Sequence, residues 1–436
     1  MNKFNHHMQI AWNEFGKNKL LIKENLRVKT AIIGRVGTMM MSCGTGAWRV
    51  RESMNTMART LNIKCTADIG LVSLGFTCYE KGKSYTEALT LPDTGINMIK
   101  LNELENFVKI FQIKGSKMTT TQVNHLLDKI QKISNDYSDL IISLAAGSAC
   151  SAFVFLLGGG YIEMLCCLLA AALGSLVRKK MNEKHIIFLM GIMVSVAVSC
   201  ISYAIIFNII REIFHVSVAH QAGYIGAILF VIPGFPFITS GLDIAKIDLR
   251  SGIERLTYAL IIILIAALIG WIVALTLHLK PLAFVPLKMP MMLKIILDFC
   301  ASFIGVYGFS LMFNSNLPMA LMSAFIGALA NTLRLSLMIF TLLPPSITAF
   351  IGALTAGLLA SFIQRYNGYP RIAITVPSIV IMVPGLYFYR AFYEIGNIEL
   401  QSGMNWLVKA FLIIIFLPLG LVVARLLTDN KWRYTN

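Results

Sequence analysis

From residue 139 onward the chain alternates between apolar runs of about 17 to 23 residues and short polar breaks. A helix needs about 20 apolar residues to cross the hydrocarbon of a bilayer. The runs therefore predict ten spans, over 139–158, 161–177, 186–207, 218–240, 256–278, 293–313, 317–333, 344–363, 372–391 and 405–427. The stretch "LRLSLMIFTLLPPS" (333–346) leaves one boundary open, because its two prolines could end one helix or begin the next. Residues 1–137 carry no such run. Their pattern predicts a helix over 25–60, a β-hairpin in "CTADIGLVSLGFTCYEKGKSYTEALTL" with its turn at "KGK", and helices over about 100–113 and 119–136. The expected fold class is mainly α: a polytopic α-helical membrane protein of about ten transmembrane helices, with a small α+β N-terminal cytoplasmic domain. The expected domains are 1–137, a soluble domain; 138–280, a first membrane half; and 281–436, a second.

Two of the apolar runs are interrupted alike. "VIPGFPFITSGLD" (231–243) and "IMVPGLYFY" (381–389) each carry Pro-Gly inside a span, the fourth of each set of five. Pro233 cannot donate to the carbonyl of Leu229, nor Pro236 to that of Ile232. Pro384 and Pro377 likewise free the carbonyls of Val380 and Ala373. Such groups cannot face lipid unpaired, so they line a cavity or a protein contact, or are repaired as simple kinks by neighbouring helices. Five spans per half give the halves opposite orientation. A 5+5 inverted repeat with matched helix breaks at Pro233-Gly234 and Pro384-Gly385 points to a substrate site near the midplane. Each half also opens with two closely joined spans, through "LLGGGY" (156–161) and "MFNSNLP" (312–318), and Arg178 and Arg334 follow the second span of each.

Only 14% of residues are charged and the formal net charge is +16. Counted over the predicted loops, Lys and Arg number twelve on the side of the N-terminus and seven on the other. The positive-inside rule then places both termini in the cytoplasm of a multi-pass protein of the cell (plasma) membrane. The excess charge fits anionic lipid. No nucleic-acid partner is expected, since no basic patch is interleaved with aromatics. The eight cysteines form no CxxC and read as small buried hydrophobes. The first 30 residues lack the apolar core of a cleaved signal peptide. "GTGAWR" (44–49) lacks the third glycine of a dinucleotide fingerprint and follows no predicted strand. GxxxxGK[ST] and HExxH are both absent, which excludes an ATP-driven pump of that type and a zinc protease. No enzyme, cofactor or metal is expected, and His6-His7 reads as incidental.

Several polar residues are candidates for chemistry. Asp298 lies in "LKIILDFCASF"; a carboxylate inside a span is costly and can carry a coupling proton or bind an amino group, unless the span starts late and leaves it interfacial. Glu163 opens the second span as a proton-coupling group or an interface marker. Asp243 and Asp248 follow the first break. Five residues apart on a helix they lie about 140° apart and so are no acid/base pair. They could guard an entrance with Lys246 and Arg250, or form a solvated loop with an Arg250–Glu254 pair. Asn314 and Asn331 could bind a substrate carboxylate or amine, or join helices. Arg334 could attract an anion or snorkel. Tyr389 and Arg390 end the ninth span as gate or aromatic anchor. The small-xxx-small pairs Ala170/Gly174 and Gly352/Ala356 fit close helix contacts inside the chain or in a homo-oligomer.

The segments "RVGTMMMSCGTGAWRVRESMNTMARTLNI" (35–63, with Arg49, Val50 and Glu52), "VIPGFPFITSGLDIAKIDLRSGIERL" (231–256, with Asp243, Asp248, Gly252 and Arg255), "GFSLMFN" (308–314), "AFIGALANTLR" (324–334) and "YPRIAITVPSIVIMVPGLYFYRA" (369–391) resemble the threonine/serine exporter family, with both of its parts fused, over about residues 30–425. The chain departs from the family's Thr-Pro-Thr-Gly-like stretch, carrying "SLGFTCYEKGK" instead. The resemblance implies export of threonine and serine by proton antiport; a two-subunit relative exports succinate. The expected function is a secondary active exporter of small amino acids with alternating access, its partners a small-molecule substrate, protons and the lipid bilayer. A dicarboxylate exporter and a non-transporting membrane scaffold or sensor are the alternatives.

Overall fold

The structure, a computed structural model, describes residues 19–91, 95–133, 137–281, 284 and 287–433, so that His6 and His7 lie outside it. The chain divides into two units: Met1–Asn135 with Asp243–Arg255, and Asp136–Leu242 with Leu256–Asn436.

The first unit opens with two helices where the sequence pattern predicts one. Asn25 caps α1 (Leu26–Ser42) by accepting the Val28 amide at 2.9 Å. Gly44 then turns the chain at φ +82°, and Gly46 is the N-cap of α2 (Ala47–Thr60). The predicted hairpin is a three-stranded antiparallel sheet, β1 (Lys64–Ile69), β2 (Ser73–Glu80) and β3 (Lys83–Thr90), in the order β1-β2-β3. Gly70 closes the extra turn by donating to the Ser73 carbonyl at 2.8 Å. The β2–β3 turn sits at Lys81-Gly82, both with positive φ, the conformation that matches the twist of a two-residue hairpin. Leu74, Phe76 and Cys78 of β2 are buried, as are Ile32, Ile33, Val36 and Met40 of α1. α3 (Met98–Lys114) buries Leu101, Leu104, Phe107 and Phe111. α4 (Thr120–Gln131) begins with a Thr119–Gln122 capping box. Two buried cations are paired: Lys29 with Glu80 at 2.7 Å, and Arg35 with Asp128, Asn124 Oδ1 and Gln131 Oε1. Burial pushes the Cys43 thiol up to about 12, so it stays protonated.

The second unit is helical. Its elements are α5 (Asp139–Leu156), α6 (Tyr161–Glu183), α7 (Phe188–Phe214), the short α8 (Tyr224–Ala227), α9 (Gly234–Ala245), α10 (Leu249–Thr276), α11 (Met291–Met312), α12 (Leu317–Phe340), α13 (Pro345–Asn367), α14 (Arg371–Val380), α15 (Gly385–Gly396), α16 (Leu400–Thr428) and α17 (Asn430–Arg433). The last turn of α9 and the first turns of α10 group with the first unit. Among the described residues, eight helices are long and apolar enough to span a membrane. Two bent pairs, His220–Val231 with Gly234–Ala245 at 52° and Arg371–Val380 with Gly385–Gly396 at 47°, raise the number to ten.

The open boundary resolves simply. α12 continues past Arg334 to Phe340, and Pro345 starts α13, where its missing N–H costs nothing. Arg334 is therefore inside its helix, and Arg178 inside α6, where the sequence reading has both following a span. Small residues face inward: Ala145, Ala149 and Ala152 on α5, and Ala320, Ala324 and Ala328 on α12 are buried. Large ones face outward once per turn, as in Leu165, Leu169 and Leu173, or Ile201, Ile205, Ile209 and Ile213. Six of the eight cysteines are buried as expected, but Cys65 is half-buried and Cys300 exposed. A shell of exposed leucine and isoleucine on this scale would aggregate in water. Lipid is the solvent it fits, and the chain is a multi-pass membrane protein.

The Lys81-Gly82 turn gives a direct check. Gly82→Val places a β-branched residue at φ +80°, at a cost of about 1–2 kcal/mol. Amide exchange of 73–90 in the full-length protein should speed up, while α5–α16 are unchanged.

Candidate functional site

The two Pro-Gly breaks have the same backbone repair. At the first, Ile232 donates to the Leu229 carbonyl (3.1 Å) and Gly234 to the Ile232 carbonyl (2.8 Å). At the second, Val383 donates to Val380 (3.0 Å) and Gly385 to Val383 (2.9 Å). Each proline thus stands in a tight three-residue turn; Pro384 has φ −82° and ψ 53°, close to the inverse γ-turn. The carbonyls of Leu229, Ile232 and Val380, freed by the prolines, are taken up within the break itself, and the next half-helix starts from the proline's own carbonyl, through Phe237 (3.3 Å) and Phe388 (3.2 Å).

The breaks also face one another. A Cβ on Gly234 would stand 3.1 Å from Val380 Cγ1 and 3.2 Å from Val383 Cγ2. A Cβ on Gly385 would stand 2.9 Å from Leu229 Cδ2 and 3.1 Å from Ile232 Cγ1. Each glycine therefore meets the two residues at the same places in the opposite break. Phe237 and Phe388, three residues after each glycine, stack at 6.1 Å with 4° between their planes. Phe153 of α5 and Phe309 of α11 complete a cavity lined in pairs with Leu229/Val380, Ile232/Val383 and Gly234/Gly385. Its space is about 10 Å³, the room of roughly one water. Tyr224 and Tyr389 join the broken elements, their hydroxyls 2.9 Å apart.

Further pairs match in detail. α5 ends with Leu157→Phe153, Gly158→Phe155 and Gly159→Val154 bonds; α11 ends with Phe313→Phe309, Asn314→Leu311 and Ser315→Ser310. Gly158 and Asn314 both take positive φ. After the breaks, "DIAKIDLRSG" (243–252) stands against "EIGNIELQSG" (394–403). Asp248 donates to the Asp243 carbonyl and Glu399 to that of Glu394, both at 2.9 Å, and Ile247 and Ile398 both have positive φ. Even the side-chain donors correspond: Arg255 Nε lies 3.2 Å from Asp243, and Trp406 Nε1 donates to Glu394 at 3.1 Å. This alignment, missed in reading the sequence, was available from the shared I-x-x-I-[DE]-L-x-S-G pattern.

Asp243 and Asp248 are held within the first unit. Asp243 is fully buried. It accepts the Ala47 amide at 3.0 Å and the Ser251 hydroxyl at 2.9 Å, and so caps α2 from far downstream. Arg255, also buried, donates to the carbonyls of Gly44 (3.2 Å) and Thr45 (2.8 Å). Gly46 has no room for a side chain, since a Cβ would stand 2.5 Å from Asp243 Oδ1. Asp248 pairs with Arg51 at 2.5 Å; Arg250 pairs with Asp68 and with Glu254.

The remaining candidates are dispersed. Asn331 donates to Ser302 at 2.8 Å, joining α12 to α11, with its Oδ1 buried and unpartnered among the described residues. Arg334 reaches the Met382 carbonyl, just before the second break, at 3.4 Å, a cation at the end of a half-helix. Asn314 is buried in the α11–α12 turn. Asp298 is buried on the second turn of α11, one turn after Lys294. Pro236 is the third residue of α9. Glu163 is fully buried; it accepts the Gly160 amide at 3.1 Å and lies 2.7 Å from His220 Nδ1. His220, inside a run read only for its apolar residues, was not singled out from sequence.

Ten membrane-length elements, two of them broken at matched turns, define the class: a helical multi-pass membrane protein with its polar backbone gathered at one internal contact. Residues 31–278 match the threonine/serine exporter model ThrE, and residues 298–427 match a second model, Threonine/Serine exporter, ThrE. The chain belongs to the threonine/serine exporter family, which places it among transporters rather than enzymes. It is 21% identical over 259 residues, 58% of this chain and 96% of the relative, to the "Probable succinate transporter subunit YjjP" of Escherichia coli (strain K12). The protein of the same name from Klebsiella aerogenes is 20% identical over 260 residues, covering 58% and 95% of the two chains. No solved structure matches.

Two predictions follow from these contacts. Gly385→Ala, whose Cβ would meet Leu229 Cδ2 at 2.9 Å and Ile232 Cγ1 at 3.1 Å, should cost about 1 kcal/mol by overpacking, and Gly234→Ala less. Thermal unfolding of the purified protein in detergent gives the order. Asp243→Ala strands buried Arg255 and should cost about 3–5 kcal/mol, whereas Asp243→Leu with Arg255→Met should recover much of it. Amide exchange at Ala47 reads the loss of the α2 cap separately.

Proposed function

We propose that the protein is a secondary active exporter of small amino acids, threonine and serine first, exchanging them for protons by alternating access in the plasma membrane. Residues 1–137 form a cytoplasmic domain, and residues 138–280 and 281–436 form two five-span halves of opposite orientation, with both termini cytoplasmic. The observation that carries this reading is the reciprocal contact of the two Pro-Gly breaks, glycine against the opposite break in both directions. An inverted repeat puts matched broken helices face to face about its pseudo-two-fold axis, and substrate sites lie there. The space of about 10 Å³ is too small for an amino acid, so this contact is the one that opens on each cycle. The Arg334 guanidinium, at the Met382 carbonyl before the second break, supplies a cation for a substrate carboxylate, and Asn331 Oδ1, three residues earlier on α12, an acceptor for its ammonium. Asp243 and Asp248 hold the cytoplasmic end of the first broken span. Asp298 is a candidate for the titrating group that couples transport to protons, and Glu163 is another.

A dicarboxylate cargo is the second reading, favoured by the name of the YjjP relatives. Efflux of labelled threonine, serine and succinate from preloaded proteoliposomes, with and without a pH gradient, separates the two. Gradient-dependent release of threonine and serine is expected; succinate alone would move the assignment, and release of none would refute transport of all three. Pro384→Ala, which straightens one break, should cut the flux at least about tenfold while the protein still folds, since about 1.4 kcal/mol of misalignment suffices. Unchanged flux would remove the breaks from the mechanism.

A further inference from the structure

Glu163 and His220 form a pair that the fold has no need of. A glutamate at the third position of α6 can cap the helix by accepting the Gly160 amide, and Glu163 does so with Oε2. A cap of that kind works at the helix surface. Here the whole side chain is buried, 0% exposed, and its other oxygen lies 2.7 Å from His220 Nδ1. Among the described residues no lysine or arginine pairs with Glu163, and the groups around it are neutral. Tyr203 of α7, itself buried, donates its hydroxyl to the His220 carbonyl at 2.7 Å. Cys166 and Cys167 follow on α6, Cys200 lies on α7, and Tyr224 follows on α8. An ionised carboxylate in such surroundings needs a counter-charge. Among the described residues the one in reach is an imidazole, which carries charge only when protonated.

Its place in the fold adds a second observation. His220 lies thirteen residues before Pro233, in the segment that leads into the first break, and Arg371 lies thirteen residues before Pro384, in the segment that leads into the second. Arg371 is permanently charged, and its partners include Thr428 Oγ1 at 2.9 Å and the Gly357 carbonyl at 3.0 Å. The corresponding position in the first broken element thus holds a cation that can be discharged, facing a carboxylate. The pair switches between net charge 0, with the imidazolium on the carboxylate, and net charge −1, with neutral imidazole. The second state is expensive in a closed apolar site and tolerable when the site is open to water.

We infer that Glu163 and His220 form the proton-binding site that couples export to the proton gradient, with occupancy deciding whether the first broken element can close. The inference rests on the exchange of substrate for protons proposed above. One proton binds at the Nδ1–Oε1 contact and leaves again as H⁺, with no other bond made or broken. With the proton on, the neutral pair seats His220 against α6; with it off, the buried negative charge drives the two apart.

The test separates coupling from structure. Glu163→Gln keeps an oxygen for the Gly160 amide but cannot ionise, and His220→Gln keeps a hydrogen-bonding side chain but cannot charge. In proteoliposomes loaded with threonine, serine or succinate, both variants should lose the stimulation of efflux by an imposed pH difference. That loss is about tenfold for one proton and one pH unit. Exchange of labelled for unlabelled substrate at equal pH, which needs no net proton movement, should fall far less. Equal loss of both activities would make the pair a structural cap and overturn the inference, as would stimulation retained in either variant. A wild-type protein that transports without any response to pH would refute proton exchange itself, and is read before the variants. Proton uptake by the solubilised full-length protein on acidification needs no substrate. The double variant Glu163→Gln/His220→Gln should take up about one proton fewer per chain than wild type. No difference in uptake would also overturn the site.

Discussion

The structure of the second unit turns on one requirement: a backbone N–H or C=O in hydrocarbon must be paired, at a cost of several kcal/mol when it is not. Unbroken helices satisfy it without help. Proline at 233 and 384 violates it, and the response is the same each time. The chain tightens from helix to a three-residue turn, the glycine amide takes the carbonyl two residues back, and a new half-helix begins. These turns cannot face lipid, so they are placed against each other, and only glycine allows the approach. The bends of 52° and 47°, the pairing of Phe237 with Phe388 and the flanking Phe153 and Phe309 all follow from that placement.

The polar chemistry of the protein is distributed unevenly over these matched segments. Asp243 and Glu394 close identical turns, yet one is held by Arg255 and the Ala47 amide and the other by Trp406. His220 and Arg371 lie at corresponding distances before the two breaks and have different partners. Matched backbones with unmatched side chains are what a device needs if its two ends face different solutions.

Much of the membrane unit was legible in the sequence because hydrocarbon imposes length and apolarity on every span. The ten runs, the Pro-Gly breaks and their pairing could all be read from it. Helix ends were less legible: α12 runs on through Arg334 because a long cationic side chain can reach a carbonyl, here Met382, without ending the helix. The first unit was harder. Gly44 splits a continuous helical pattern, and the short turn at Gly70 splits one strand from the next; neither changes the local periodicity enough to notice. Partners far apart in sequence could not be read at all. Nothing near Asp243 announces Ala47, and nothing near Glu163 announces His220.

The cap that Asp243 places on α2 joins residues 196 positions apart, and Arg255 reaches back 211 and 210 positions to Gly44 and Thr45. During synthesis the N-terminal segment leaves the ribosome long before those side chains exist. Its second helix therefore waits with an uncapped end while four hydrophobic segments are made. The first unit is thus completed only after the chain has passed residue 255, and a chain that stops short of it carries an unfinished helix start.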